Sequence, residues 1–185
     1  QYASPQLFDL NNDGKLDLIL GKKTGELIYF ENTGTTTSPA FTLLNNALGM
    51  VDTDSLTPDG YSVPHFFRFQ DTTYLLLGAH DGAIYFYDSI DGSLNTGLSF
   101  HERSADFLGL KAAIGAYSSC FITDIDQDNH LDLFVGQDLG GIYRLEDEPG
   151  STLEIEEDQG QNLRIFPNPA TTEITILSEE NMGTM

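Results

Sequence analysis

The chain has 185 residues, enough for one or two domains with a real core, and it is strongly acidic: 8 Lys and Arg stand against 29 Asp and Glu, a net charge of −21. This charge excludes nucleic acid and anionic membrane surfaces as partners, because their phosphates would be repelled, and it suits a protein that holds cations. No apolar run reaches the roughly 18 residues of a membrane span, and one cysteine, Cys120, allows no intrachain disulfide. Because the chain opens at Gln1 inside a predicted strand and without a signal peptide, we expect further residues upstream.

Short apolar runs dominate the first repeat, which we place at residues 1–45. The runs are too short for helices, and the links between them contain the glycines that hairpins favour. We therefore predict four antiparallel strands in this repeat, with the sequences SPQLFDL, LDLILG, LIYF and SPAFTLL.

An acidic loop, DLNNDGKLD, joins the first two predicted strands at residues 9–17. Like charges in so short a turn repel one another, so a cation is expected among them. Oxygen-bearing side chains occupy positions 1, 3, 5 and 9 of the loop, and position 7 offers its carbonyl. Gly14 at position 6 permits the left-handed backbone that bends such a loop around an ion. The predicted ligands are Asp9, Asn11, Asp13, Lys15 through its carbonyl, and Asp17.

The middle repeat, residues 46–104, keeps the strand pattern but loses the acidic ligands. Its predicted strands are VPHFFRF, YLLLG, IYFY and GLSFHER. Arg68 stands where Asp9 does in the first repeat, and Tyr74 stands where Asp17 does. A cation and a phenol in place of two anionic ligands predict that this repeat holds no calcium.

The third repeat, residues 105–147, carries a second acidic loop, DIDQDNHLD, at residues 124–132. Asn129 replaces the glycine, and Asn is the next best residue for a left-handed backbone. In both loops the ligands are hard, partly anionic oxygens, which favour Ca²⁺ over zinc or copper. The predicted ligands here are Asp124, Asp126, Asp128, His130 through its carbonyl, and Asp132.

Two other interpretations of the acidic loops follow from their residues. An EF-hand requires a bidentate Glu at position 12, and that position is Leu20 or Val135 within an apolar strand, so the EF-hand interpretation fails. A turn rich in Asp and Asn that holds no ion stays open, because these residues favour turns by themselves.

The three repeats align on tyrosines and glycines. Equivalent tyrosines precede the first strands at Tyr2, Tyr61 and Tyr117. Equivalent glycines close the second strands at Gly21, Gly78 and Gly136, which lie 57 and 58 residues apart. We also align Tyr29, Tyr85 and Tyr143, and predict that they pack between repeats.

Four antiparallel strands repeated at this period are typical of β-propeller blades, because radial repetition protects the edges of each sheet. Three blades fall below the usual about four to eight. We therefore predict an all-β fold in which residues 1–147 form three four-stranded blades of a larger propeller. A β-sandwich or an open β-solenoid is the alternative architecture.

The acidic loops and the strands after them resemble the calcium loops of FG-GAP/VCBS-type repeats, the blades of integrin-like propellers. The segments SPQLFDLNNDGKLDLILG and SSCFITDIDQDNHLDLFVG carry this resemblance, which covers residues 2–147. It implies propeller blades with one structural calcium ion in each acidic loop.

The composition changes after the third repeat. Residues 148–161 are acidic and poor in core residues, which is typical of a linker. Residues 162–185 then begin with NLRIFPNPATTEITI, a pattern that predicts a strand, a turn and a second strand of a small β-sandwich-like module. The core IFPNPATT, with Pro167, Asn168 and Pro169, closely resembles the start of the C-terminal sorting domain of the type IX secretion system. That resemblance implies export through this machinery, with the sorting domain cut short here.

From these observations we expect a secreted or outer-membrane cell-surface module that binds calcium and a protein or glycan ligand, without catalysis. No Ser/His/Asp or paired-carboxylate arrangement stands out, so we expect no enzyme activity in this chain. Two alternatives stay open. The chain is the accessory propeller region of a secreted polysaccharide- or protein-degrading enzyme whose catalytic domain lies upstream, or it is a purely structural part of a surface assembly.

Overall fold

A computed structural model describes residues 2–53, 59–112, 114–127, 130–146, 164–168 and 174–175. The described residues form an all-β fold of antiparallel sheets, with short 3-10 segments at Leu48–Met50 and Phe107–Ala112. The chain divides into two compact units, the first built from residues 1–120 and 137–139 and the second from residues 121–136 and 140–185. The prediction of an all-β fold is confirmed, and closure into a propeller stays a prediction.

The first unit contains two four-stranded meanders, each with its strands in chain order. The first sheet consists of β1 (Ala3–Phe8), β2 (Asp17–Lys22), β3 (Leu27–Asn32) and β4 (Phe41–Asn45). The second consists of β5 (Val63–Phe69), β6 (Thr72–Gly78), β7 (Ile84–Asp88) and β8 (His101–Ser104). Every neighbouring pair is antiparallel, as the sequence pattern predicts.

The last strand of the second sheet begins later than its sequence predicts. GLSFHER spans residues 97–103, whereas β8 starts at His101. Gly97 has a positive φ of 84°, and the N–H of Leu98 donates to the carbonyl of Asn95 in a turn. Phe100 is then buried and donates its N–H to the carbonyl of Gly49, so it belongs to the core and not to the strand.

A shared apolar core joins the first two sheets. It is made of buried side chains from both repeats, among them Leu10, Ile19, Leu27, Tyr29, Phe66, Leu75, Leu77, Tyr87 and Phe100. A polar clamp holds the first strands together, because the amide of Gln6 donates to the carbonyl of Phe66 at 2.8 Å and accepts from its N–H at 2.7 Å. Both backbone groups of Phe66 are thus paired with the neighbouring sheet.

One serine joins the second repeat to the first, and an equivalent serine joins the start of the third repeat to the second. Ser62 accepts from the N–H of Lys22 at 2.9 Å and donates to the carbonyl of Glu26 at 2.8 Å. Ser118 accepts from the N–H of Ala79 at 2.9 Å and donates to the carbonyl of Ala83 at 2.6 Å. The two sets of contacts are equivalent, so the same junction is built twice within the first unit.

The second unit carries a five-stranded sheet in the order β13-β12-β11-β10-β9. Its strands are β9 (Ser119–Thr123), β10 (Asp132–Gly136), β11 (Ile142–Glu146), β12 (Arg164–Asn168) and β13 (Ile174–Thr175). The tail thus supplies the predicted pair of strands, but β12 also pairs with β11, with Tyr143 opposite Pro167. Pro167 and Asn168 lie within β12, while Pro169 and the acidic linker lie outside the described residues.

Candidate functional site

The first acidic loop lies between β1 and β2 and is closed by hydrogen bonds of its own. Both carboxylate oxygens of Asp9 accept backbone N–H groups, one from Asp13 at 3.0 Å and one from Gly14 at 2.9 Å. The side-chain oxygen of Asn11 also accepts from Asp13, at 3.1 Å. Gly14 has a φ of 83°, the left-handed conformation that its position in the loop predicts. The loop is therefore closed by backbone N–H groups that donate to the side-chain oxygens of Asp9 and Asn11.

Asp17 is the buried end of this loop. Its side chain is completely buried and accepts hydrogen bonds from the N–H of Leu10 at 3.2 Å, the N–H of Asn32 at 2.8 Å and the hydroxyl of Tyr29 at 2.8 Å. The pKa of Tyr29 is raised well above its usual value, mainly by burial and secondly by the hydrogen bond to Asp17, so the phenol stays a neutral donor. The three donors fix the carboxylate in one orientation.

Lys15 places its ammonium inside the same loop. Its Nζ lies 2.9 Å from the carboxylate of Asp13 and donates to the carbonyl of Asn32 at 2.6 Å. The hydrogen bond from Lys15 holds the pKa of Asp13 below its usual range. The sequence predicted a role only for the main-chain carbonyl of Lys15, and it did not predict this contact of the side chain. Because both side chains are open to water, the ion pair is screened and weak.

The second acidic loop, between β9 and β10, brings three carboxylates together. Single oxygens of Asp124, Asp126 and Asp132 all lie within 4.8 Å of one another, and Asp132 is buried. In the described part of the chain the three aspartates of the first loop form no such group. Asp128 and Asn129 lie outside the described residues, and the role predicted for the carbonyl of His130 stays a prediction.

The two loops share one hydrogen bond at the same place. The N–H of Leu10 donates to Asp17 at 3.2 Å, and the N–H of Ile125 donates to Asp132 at 3.0 Å, in each case across seven residues. In both loops, the backbone N–H of the residue after the first predicted ligand thus donates to the carboxylate of the last predicted ligand. Equivalent backbone geometry supports the alignment of the two loops by sequence.

The alignment of three tyrosines is wrong by one residue. Tyr29 lies opposite Ile19, but Tyr85 lies opposite Leu77 and Tyr143 opposite Val135, which are the partners equivalent to Leu20 and not to Ile19. The residue of the third repeat equivalent to Tyr29 is Arg144, opposite Phe134. The glycines Gly25 and Gly140, each four residues before these positions, would have given this register from the sequence alone.

Arg144 contacts the second loop as Tyr29 contacts the first. Its Nε and Nη2 donate to one oxygen of Asp132, at 3.1 and 2.8 Å, and Nη2 lies 3.9 Å from Asp126. Sequence reasoning missed this side chain because it aligned Tyr143, one residue before it, with Tyr29. A guanidinium is therefore present within the acidic cluster.

The middle repeat replaces the loop by a tight hairpin. Phe69 and Thr72 are paired, and the two residues between them, Gln70 and Asp71, have φ values of 48° and 62°. Both are left-handed, as in a type I′ turn. Tyr74, at the position of Asp17, stacks on Phe67 with ring centroids 5.5 Å apart. In this repeat, the position that holds an aspartate in the neighbouring repeats therefore holds a tyrosine that packs against another aromatic ring.

A cleft of about 740 Å³ lies between the first and second repeats. Its polar lining includes Asn11 from the acidic loop, Glu31 from β3, Arg68 from β5, and Asp91 and Asn95 from the segment after β7. Leucines of both repeats contribute apolar surface to the lining. Amide, carboxylate and guanidinium groups beside apolar surface can hydrogen-bond a polar ligand and cover its apolar parts.

No family model, curated protein or solved structure matches the chain. The resemblances of the acidic loops and of the tail accordingly depend on their own residues. Within the described residues, no helix has the length and apolar character that crossing a bilayer requires.

Proposed function

We propose that this chain is a calcium-binding repeat module of a secreted or cell-surface protein, and that it acts in binding or as a scaffold and not in catalysis. The observation that carries the proposal is the convergence of Asp124, Asp126 and Asp132 in a loop with the ligand spacing of residues 9–17. Two loops of one design, each joining the first two strands of its repeat, support a common ligand.

Calcium fits the chemistry of these loops better than other common cations. Each loop offers carboxylate oxygens, and the first adds the amide oxygen of Asn11. Ca²⁺ accepts six to eight such oxygens at flexible positions, whereas Mg²⁺ demands a near-ideal octahedron and keeps its waters. Zinc and copper prefer nitrogen and sulfur donors, whereas the predicted ligand atoms of both loops are oxygens and the imidazole of His130 is not among them.

A calcium ion bound in an acidic loop would stabilise the folded chain. It would join the end of the first strand to the start of the second and neutralise carboxylates that otherwise repel. At a free concentration 100 times the dissociation constant, an ion that binds only the folded state stabilises it by about 2.7 kcal/mol. That amount is a large part of a typical unfolding free energy of roughly 5–15 kcal/mol.

The arrangement of the repeats supports propeller blades. The first two sheets are four-stranded meanders, their first strands are clamped by Gln6, and equivalent serine junctions recur at Ser62 and Ser118. In this arrangement the cleft between the first two repeats is the place for the protein or glycan ligand. Its mixed polar and apolar lining supports such a ligand.

The tail supports export through the type IX secretion machinery. Its motif, with Pro167, Asn168 and Pro169, is the feature that resembles a sorting domain. A reporter fused to the complete native tail and expressed in a host with this machinery should reach the surface. Substitution of both prolines by alanine should reduce delivery, and delivery that persists after removal of the whole tail would contradict the assignment.

Calcium binding is tested by calorimetry and thermal unfolding of the purified chain. We expect two bound calcium ions, and a lower melting temperature in chelator. Asp13→Ala and Asp126→Ala should each remove one ion, while Asp81→Ala, which breaks the exposed pair with Lys111, should remove none. Absence of calcium binding, or a melting temperature that chelator does not move, would contradict the proposal.

A further inference from the structure

The guanidinium of Arg144 occupies part of the space between the carboxylates of the second acidic loop. It donates two hydrogen bonds to Oδ1 of Asp132 and its Nη2 lies 3.9 Å from Asp126. Asp132 is 3 % exposed, whereas the side chain of Arg144 is 32 % exposed, so the carboxylate of this pair is buried and the guanidinium is partly open to water. A cation fixed here already supplies the positive charge that the converging carboxylates need.

The equivalent position of the first loop is neutral. Tyr29 has the same register position in β3 that Arg144 has in β11, and its hydroxyl donates to Asp17 at 2.8 Å. Both side chains therefore orient the last aspartate of their loop, one as an uncharged phenol and one as a cation. The loops differ in charge at a position outside the nine-residue motif.

We propose that Arg144 is an internal cation that competes with calcium, so that the second loop binds calcium more weakly than the first. The inference rests on the proposed calcium binding. It assigns Arg144 as the residue that sets the affinity difference between the loops, and the first loop as the one that stays loaded when calcium falls.

The ammonium of Lys15 does not give the first loop the same property. Lys15 pairs with Asp13 and donates to the carbonyl of Asn32, but the carboxylate that it holds is 31 % exposed, so its flexible stem can carry the ammonium away from the loop into water. Arg144 instead holds a buried carboxylate with two donors of a rigid planar group. Displacement of Arg144 would leave Asp132 without those donors.

The size of the effect follows from Coulomb repulsion. A divalent ion and a guanidinium at a separation of roughly 5 Å repel enough, even with water-like screening, to weaken binding by about tenfold. We therefore expect the dissociation constants of the two loops to differ by about tenfold.

The second loop is isolated for measurement by the Asp13→Ala substitution in the first. In that background, calcium titration calorimetry compares Arg144→Tyr, which installs the residue of the first repeat, with Arg144→Gln and Arg144→Lys. We expect the two neutral variants to lower the dissociation constant by about tenfold, and the lysine variant to lower it much less. Arg103→Gln, which removes the same charge from β8, should change nothing.

Circular dichroism identifies the variants that fold, and Arg144→Gln serves if Arg144→Tyr does not. If the folded neutral variant has an unchanged or higher dissociation constant, Arg144 does not weaken calcium binding. If the first loop of an Asp126→Ala chain still binds calcium, that result overturns only the role of Arg144 and not the proposed calcium binding. A gain of equal size in Arg103→Gln overturns it as well, since net charge would then explain the effect. Absence of calcium heat at both loops overturns the proposed calcium binding and this inference with it.

Discussion

The guanidinium of Arg68, in the second repeat, donates to the main-chain carbonyl of Asp9, in the first, at 3.2 Å. It also donates to the side-chain oxygen of Asn12 at 3.1 Å and lies over the ring of Phe8, 5.5 Å from its centroid. The side chain that stands in the place of a ligand in its own repeat thus supports the acidic loop of its neighbour. Its partners there are a carbonyl and an amide oxygen, so it braces the loop without pairing with a carboxylate of the predicted site.

Arg68→Ala should loosen the first acidic loop. The lost hydrogen bonds and ring contact should lower the unfolding free energy by about 1 kcal/mol, because the site is partly open to water. Urea unfolding in chelator measures this loss, and hydrogen exchange at the amides of Asp13 and Gly14 should accelerate. Arg103→Ala, which breaks a partly exposed pair with Asp88, is the matched control and should leave these amides unchanged. Equal exchange in both variants would contradict the bracing role.

Tyr29→Phe tests the hydrogen bond that holds Asp17. The substitution keeps the ring in the core and removes one donor from a buried carboxylate, so we expect a loss of about 1–3 kcal/mol. Tyr85→Phe removes a hydroxyl from a partly buried ring that packs against the same core, and it should cost less. Chemical denaturation of both variants gives the comparison. Equal losses would show that the contact with Asp17 contributes nothing of its own.

The strands were predictable from the sequence, while the side-chain partners between strands were not. Apolar runs and repeated glycines placed β1 to β3 and β5 to β7 close to their observed bounds, because strand period and turn chemistry are local properties. The contact of Arg144 with Asp132 depends on the conformation of a long side chain in addition to the strand register, and that of Arg68 with Asp9 depends on the packing of two repeats. The pairing of β12 with β11 crosses a long connection that carries no local signal of its destination.

The serine junctions should respond to substitution in a graded way. Ser118→Ala leaves the N–H of Ala79 and the carbonyl of Ala83 without their side-chain partner in a buried position, which should cost about 1–3 kcal/mol. Gly78→Ala should cost more, because its new Cβ would collide with the carbonyl of Ser118. Thermal unfolding of the two variants measures the order. A milder effect of Gly78→Ala than of Ser118→Ala would contradict the close approach of these backbones.

The ionisation of Asp13 reports the contact with Lys15. The hydrogen bond from the ammonium holds the pKa of Asp13 below the ordinary value of about 3.9, so the carboxylate binds its proton only at lower pH than in the unfolded chain. This depressed pKa favours the folded state above the unfolded pKa, and the contribution disappears as pH falls through the folded value. NMR titration in chelator should show Lys15→Met raising the pKa toward the ordinary value. An unchanged titration would mean that the ion pair does not persist in solution.

Removal of the tail should expose the edge of the third sheet. β12 pairs with β11 from Ile142 opposite Asn168 to Arg144 opposite Phe166, so a chain ending at residue 161 leaves the outer backbone groups of β11 unpaired. Open strand edges of this kind promote association between chains. Sedimentation should therefore show concentration-dependent self-association of the truncated chain and little of the full chain. Tyr143→Lys in the truncated chain places a charge on that edge and should restore the monomer. A truncated chain that stays monomeric at the highest soluble concentration would contradict the pairing of β11 with the tail.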